Sequence, residues 1–227
     1  MAGITYAQLQ TKVADWLNRS DLTSVIPDFI NISMHDMERI FSFRNMKVRT
    51  TVSLTNGDYL IANPVTNYKE LIQDSILDSS NLRYNIERKS YAYAVSEYPD
   101  FINGKGMPEC MAEVTQIETP PLTPDTLPTQ KLLIRPTADQ NYTLEIWAYQ
   151  YTPDLDGSTY TTNWWTQYAW ECLLYGALVE ANSYLGDDAS VAKYIALRDK
   201  KLKNLMDAET SEEASGSNPY MSSDYVV

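Results

Sequence analysis

Near the start of the chain, apolar side chains recur at three- and four-residue intervals. Tyr6, Leu9, Val13, Trp16 and Leu17 form one stripe, the spacing at which residues share a helical face. Thr5 stands just before it and Gln8 three residues later, the two halves of a capping box. The polar run Asn18-Arg19-Ser20-Asp21 interrupts the stripe. A second helix opens near Ser24, accommodates Pro27 in its first turn, and turns Ile26, Phe29, Ile30, Ser33, Met37, Ile40 and Phe41 inward. Two amphipathic helices joined by a short polar link predict a helical hairpin.

After Arg44 the period changes to two. Met46, Val48, Thr50, Val52 and Leu54 alternate with Lys47, Arg49, Thr51 and Ser53, the pattern of a half-buried strand. Asn56-Gly57 follows, a strong signal for a tight type I′ hairpin that would pair Leu54 with Tyr59 and Val52 with Ile61. Further strands are expected at 68–77, 82–87, 110–118, 131–135 and 142–151, and a short helix at 90–98. The last of these strands is apolar on both faces, with Trp147, Tyr149 and Tyr151 opposite Tyr142, Leu144, Ile146 and Ala148, which suits a central position. Pro120, Pro121, Pro124 and Pro128 mark an irregular loop between two of the strands.

Helical spacing returns at Asn163. Between Trp164 and Leu185 only Glu171 and Glu180 are charged, so the segment reads as one long helix, apolar nearly all round, that needs neighbours on most sides. Gly186 can close it. Asp187 or Asp188 can cap a last helix that turns Val191, Tyr194, Ile195, Leu202, Leu205 and Met206 inward. The expected class is therefore α+β. Helical hairpins at 1–44 and 161–209 form a four-helix core, a mostly antiparallel β-rich domain is inserted at 45–160, and an extended, flexible tail occupies 210–227.

Charge narrows the function. The 227 residues carry 18 Lys and Arg against 30 Asp and Glu, a formal net charge of -12, which argues against gripping nucleic acid by neutralising phosphates. Residues 93–188 hold only Lys105, Lys131 and Arg135 against fourteen carboxylates. Basic residues gather instead at Arg39, Arg44, Lys47 and Arg49, and at Lys193, Arg198, Lys200, Lys201 and Lys203, a distribution that suits complementary subunit contacts. Seventeen tyrosines and five tryptophans supply side chains that serve interfaces or polar-rimmed cores equally well. The N-terminus lacks the basic and apolar regions of a secretion signal. No apolar run approaches membrane-spanning length, so no membrane association is expected.

Candidate chemistry is thin. His35 is the one histidine and lacks the partners of a zinc site. Cys110 and Cys172 are far apart and read as core residues. Gly104-Lys105-Gly106 lacks the strand–loop–helix setting of a phosphate cradle, and Asp154, Asp156 and Gly157 lack the later ligands of a calcium loop. No catalytic residue, metal site or cofactor is expected. Trp164-Trp165 could stack on sugars; the preferred reading is that they anchor the apolar helix, with Trp165, Tyr168 and Cys172 on one face.

Several strings then combine. Ile4-Thr5-Tyr6-Ala7-Gln8-Leu9, Val13-Ala14-Asp15-Trp16-Leu17-Asn18-Arg19-Ser20-Asp21-Leu22, Ile26-Pro27-Asp28-Phe29-Ile30, Met37-Glu38-Arg39-Ile40 and Arg44-Asn45-Met46 resemble the start of head-to-tail adaptor proteins of tailed bacteriophages. Leu174-Tyr175-Gly176-Ala177-Leu178, Glu180-Ala181 and Asp187-Asp188-Ala189 are similar to the same family's C-terminal helices. The likeness covers the outer parts of the chain; 53–153 matches only in general character. Asn31-Ile32-Ser33-Met34-His35-Asp36 is less alanine-rich than the family's pattern.

The resemblance implies a homo-oligomeric ring, usually of twelve subunits, seated in the virion neck after assembly in the host cytoplasm. Such a ring joins the portal protein to downstream tail or nozzle proteins and conducts DNA during ejection without binding it specifically. Lys200, Lys201, Lys203, Tyr220, Met221, Tyr225, Val226 and Val227 become the expected portal contacts. Trp16, Trp164, Trp165, Tyr168 and Tyr175 become subunit-interface or helical-core residues. The alternatives are a carbohydrate-binding tail module, which would show glycan affinity, and a cell-wall hydrolase, whose lysis would die with one or two carboxylate substitutions.

Overall fold

Helix α1 (Tyr6–Leu17) starts at its capping box: Gln8 N–H donates to Thr5 Oγ1 (3.3 Å), and Thr5 N–H donates to Gln8 Oε1 (2.9 Å). It ends at Asn18, whose φ of 50° is a left-handed turn that asparagine tolerates. Helix α2 (Ile26–Ile40) has Pro27 in its first turn and no side-chain cap. A 3-10 turn (Arg44–Met46) leads into strands β1 (Lys47–Leu54), β2 (Leu60–Ala62), β3 (Tyr68–Leu77), β4 (Arg83–Asn85) and β5 (Glu87–Arg88). Helix α3 (Tyr91–Glu97) is followed by β6 (Lys105–Gly106), β7 (Cys110–Gln116), β8 (Thr129–Arg135), β9 (Thr137–Ala138) and β10 (Tyr142–Gln150). Helices α4 (Trp164–Tyr168), α5 (Trp170–Leu185) and α6 (Asp188–Ala214) complete the α+β fold.

This computed structural model describes residues 3–116 and 129–214. The proline-rich loop with Pro120, Pro121, Pro124 and Pro128 lies outside the described residues, as do Tyr220, Met221, Tyr225, Val226 and Val227. The chain divides into two compact units, one of Met1–Met46 and Tyr151–Val227, the other Lys47–Gln150. The stretch 151–160, placed with the β-rich insertion on sequence pattern, thus groups with the helices.

In the helical unit α5 touches α1, α2, α4 and α6. Leu173, Leu174, Ala177, Leu178 and Ala181 are almost wholly buried by them. The neighbours that the apolar segment was expected to need on most sides are thus supplied within one copy, although Tyr168, Tyr184 and Leu185 stay exposed. The helix is also not continuous. At Ala169 φ is −138° and ψ 30°, outside helical space, so 164–185 is two helices. Short α4 carries its own capping box, with Thr166 N–H donating to Asn163 Oδ1 (3.0 Å). The break puts Trp165 in the core, wholly buried, and Tyr168 in solvent, 71% exposed, so these two do not share a buried face. On α2 the inward stripe holds at Ile26, Phe29, Ile30, Ser33 and Met37 and widens to Met34 and Glu38, whereas Ile40 is 72% exposed. Gly186 closes α5 at φ 72°, and Asp187 caps α6 by accepting from Ser190 N–H (3.2 Å). Helix α6 then continues to Ala214, past Glu209, where composition suggested an extended tail.

The β unit holds a sheet of order β1-β10-β3-β4, wholly antiparallel, and a second of order β2-β8-β7-β5 in which only β5 and β7 run parallel. The short strands β6 and β9 pair in parallel. Leu54, Ile76, Leu144 and Ile146 from the first sheet meet Met111, Leu132 and Ile134 from the second in one buried cluster. On the far side of the second sheet, Cys110, Ala112 and Leu133 pack against Ala94 of α3. Strand β10 is central, as expected. The Asn56-Gly57 hairpin does not form: Leu54 pairs with Tyr142 and Val52 with Leu144, while β2 pairs with β8. The turn is tight, with Asp58 N–H donating to Thr55 O (3.0 Å). Of its two central residues only Gly57 has positive φ (99°), so it lacks the backbone twist that folds two strands onto each other. Residues 82–87 likewise split into β4 and β5, one in each sheet.

Candidate functional site

Glu38 organises the middle of the helical unit. Its carboxylate is fully buried and accepts from Trp165 Nε1 (2.7 Å), Thr152 N–H (3.0 Å) and the Thr152 hydroxyl. His35, one turn earlier on α2, places Nδ1 3.8 Å from Glu38 and Nε2 2.5 Å from Asp154. These two carboxylates, Glu38 first, hold the imidazole pKa above its ordinary value. Asn31 closes the row, donating to Leu155 O and accepting from Leu155 N–H, both at 3.0 Å. One face of α2 thus holds the backbone of the 152–155 segment. A buried carboxylate is tolerable when such donors replace its water. Sequence reasoning missed Glu38, although Ile30, Met34 and Glu38 follow one another at four-residue steps along the inward face.

Trp165 is spent in this arrangement. It sits edge-on to Phe43 (5.0 Å) and to Trp164 (5.3 Å) and offers no face for a sugar. Trp164 is half-buried against Phe43 and Tyr168. The other expected interface residues form a separate surface cluster. Trp16, 50% exposed on α1, meets Tyr175 of α5 edge-on at 5.8 Å and Tyr194 of α6 at 6.4 Å. Lys193 Nζ lies 5.2 Å over the Tyr194 ring, and Lys12 Nζ lies 5.3 Å over Trp170. Tyr194 was read from the sequence as a core residue; it is half-exposed.

Lys201 is taken up by Glu171 of α5, and Lys200 and Lys203 are exposed. Lys203 edges a groove between α2 and α6 lined by Met37, Ile40, Phe41, Leu202 and Met206, with Arg198 and Asp36 nearby.

In the β unit the charged groups hold strands together. Glu145 on β10, nearly wholly buried, is clasped by Arg49 of β1 and Arg83 of β4 and accepts from Trp147 Nε1 (3.1 Å). The Arg49 contact chiefly keeps its pKa below the ordinary range. Asp74 on β3 has Arg88 Nε at 3.0 Å, yet burial outweighs that charge and pushes its pKa up to about 6. Arg135, fully buried, has carbonyls in place of a carboxylate: Tyr98 O and Asp100 O (2.7 Å), with Thr137 Oγ1 at 2.7 Å and the Phe101 ring 4.1 Å below.

Burial pushes the Cys172 thiol up to about 12 and the Cys110 thiol upward too, so neither is a thiolate at neutral pH. Among the described residues no three His, Cys, Asp or Glu side chains are grouped to hold a metal ion, and no helix is long and apolar enough to cross a membrane. What the surface does offer is aromatic area braced by lysines.

A family model described as SU10 adaptor protein matches residues 4–221 of the chain. No curated protein matches the chain.

Proposed function

The chain belongs to the SU10 adaptor protein family, a phage structural family, and on that premise we propose that it forms a ring joining the portal to the tail and extending the DNA channel. The span of the match carries this, since it includes both terminal helical regions and the β unit between them. Twelve copies is the expected number, in the neck of the virion. The role requires neither a catalytic step nor a cofactor.

An adaptor must conduct DNA without holding it, and a lumen lined by carboxylates would repel phosphate. Glu145 and Glu171 cannot serve, being engaged with arginine and lysine. Glu97, Asp100, Asp156, Asp187 and Asp188 are exposed and available to a lumen. A ring structure with a lumen lined mainly by Lys and Arg would exclude this.

We assign portal contact to Lys200, Lys203 and the segment after Ala214, with Tyr220, Met221, Tyr225, Val226 and Val227 as its apolar anchors. A polar segment ending in apolar residues can order on a partner at an entropic cost. Removing residues 215–227 should abolish portal binding while leaving the helical unit's melting temperature unchanged; unaltered binding would exclude the segment. The test of the function itself is to mix the purified chain with its portal and image the product in negative stain. A ring stacked on the portal is expected, and bare portals would overturn the proposal.

A further inference from the structure

Helices α2 and α6 both lie on α5, and the space left between them is a groove of about 350 Å³, within the range of clefts that take small ligands. Met37, Ile40, Leu202 and Met206 line its walls. Ile40 is 72% exposed there, at the end of a helix whose inward residues are otherwise covered. The two methionines give the walls the means to adapt to an apolar guest. The charged residues of the groove are Asp36, Arg198, Asp199 and Lys203. Asp36 pairs with Arg39, and Asp199 with Arg198. Lys203 is left as the groove cation with no carboxylate within ion-pair distance among the described residues. Beyond the groove, Arg44 N–H donates to Glu209 Oε2 (3.2 Å). The groove therefore runs towards the C-terminal end of α6, from which residues 215–227 depart.

We propose that in the unassembled protein this groove holds the chain's own residues 220–227, with Tyr225, Val226 and Val227 against Ile40 and Leu202 and with Asp224 beside Lys203. Reach allows it. Met206 and Leu202 lie about 12 and about 18 Å back along α6 from Ala214, at 1.5 Å per residue. Residues 215–220 can span up to about 20 Å and residues 215–225 up to about 36 Å. Gly216 and Asn218-Pro219 supply the turn signals that a reversal needs. Composition selects the occupant. Asp224 is the one charged residue of 215–227, in a chain of net charge -12. Apolar and aromatic side chains thus meet an apolar groove, and one carboxylate meets one cation. The tether adds to this, because a linked segment faces the groove at an effective concentration of about a millimolar, ahead of any free ligand of equal affinity. The docking belongs to the isolated chain; its consequence rests on the portal contact proposed for the same segment. The portal must take the segment from the groove. With about one chain in ten undocked, apparent affinity for the portal falls about tenfold.

The test is made in the full chain. Cys110 and Cys172 are buried, so a thiol introduced by Met206→Cys reports access to the groove through its rate of alkylation by iodoacetamide. Adding Tyr225→Asp/Val226→Asp should raise that rate about tenfold, the ratio set by the docked fraction. An unchanged rate would overturn the inference. A rate in the Met206→Cys chain that rises on dilution would also overturn it, because the occupant would then be another copy. Ile32→Cys, on an exposed part of α2 outside the groove, serves as the control. Its alkylation should ignore the Asp substitutions; a parallel rise there would mean that they loosen the whole helical unit, and would overturn the inference. Against immobilised portal, Ile40→Ser should bind about tenfold more tightly than wild type, since it weakens the groove and leaves the segment intact. Equal or weaker binding would overturn the competition. If the wild type binds no portal, the portal contact falls, and alkylation alone decides the docking.

Discussion

The two units each bury a carboxylate, under opposite terms. In the helical unit Glu38 is ringed by donors from two segments of the chain, the Trp165 indole and both polar groups of Thr152, with His35 beside it. In the β unit Asp74 lies almost as deep with a single arginine for company, and burial drives its pKa to about 6. Glu38 is a structural knot in which polar groups from distant parts of the chain satisfy one another. Asp74 is a local burden, its one cation too little to offset its burial. Removing the two should therefore have effects of opposite sign.

The largest effect is expected from Glu38→Ala. It strands an indole N–H, an amide N–H and a hydroxyl in the interior, and should destabilise the helical unit by roughly 3–5 kcal/mol in chemical denaturation. A loss under about 1 kcal/mol would show that the knot is decorative. Next is Gly176→Ala, where α5 meets Ser33 of α2 in the same unit. The added Cβ would fall on Ser33 Oγ and lie 2.9 Å from Ser33 Cβ, so a loss of about 1–3 kcal/mol is expected. Ser33→Gly should restore much of it in the double variant.

Asp74→Asn should instead stabilise the β unit at neutral pH, by about 1 kcal/mol. The sign follows from the raised pKa. Folded Asp74 holds its proton more tightly than the unfolded chain does, so its contribution is fully favourable below about pH 4 and is lost as pH rises through about 6. The asparagine variant should lack that loss. Arg88, partly exposed, can return to water. The smallest effect belongs to His35, whose pKa is also raised. Its contribution is present below about pH 6.5 and lost as pH rises through the higher folded value. His35→Gln should flatten that window by a few tenths of a kcal/mol. Parallel pH–stability curves for the wild type and both variants would separate the two windows.

Local signals were the legible ones. Thr5 with Gln8, Gly186 after α5 and the alternation of β1 each act within a few residues, and each element lies where those residues put it. The failures were matters of partner choice. Asn56-Gly57 bends the chain as expected, but which strand pairs with β1 depends on β10, whose fit to both β1 and β3 no short window contains. Ala169 is a good helix former, so nothing local predicts the break that separates Trp165 from Tyr168. Ile40 fits the apolar stripe of α2 and lies at its exposed end, while Glu38, which breaks the stripe chemically, is buried because Trp165 and Thr152 await it. Of the expected interface residues, Trp16 and Tyr175 came together at the surface; Trp165 belongs to the core.

Assembly is best tested by native mass spectrometry of the full chain mixed with its portal. A closed ring on the portal predicts one dominant species carrying a fixed number of copies, with no two-copy intermediate accumulating. A portal that flies bare beside single copies of the chain would contradict it.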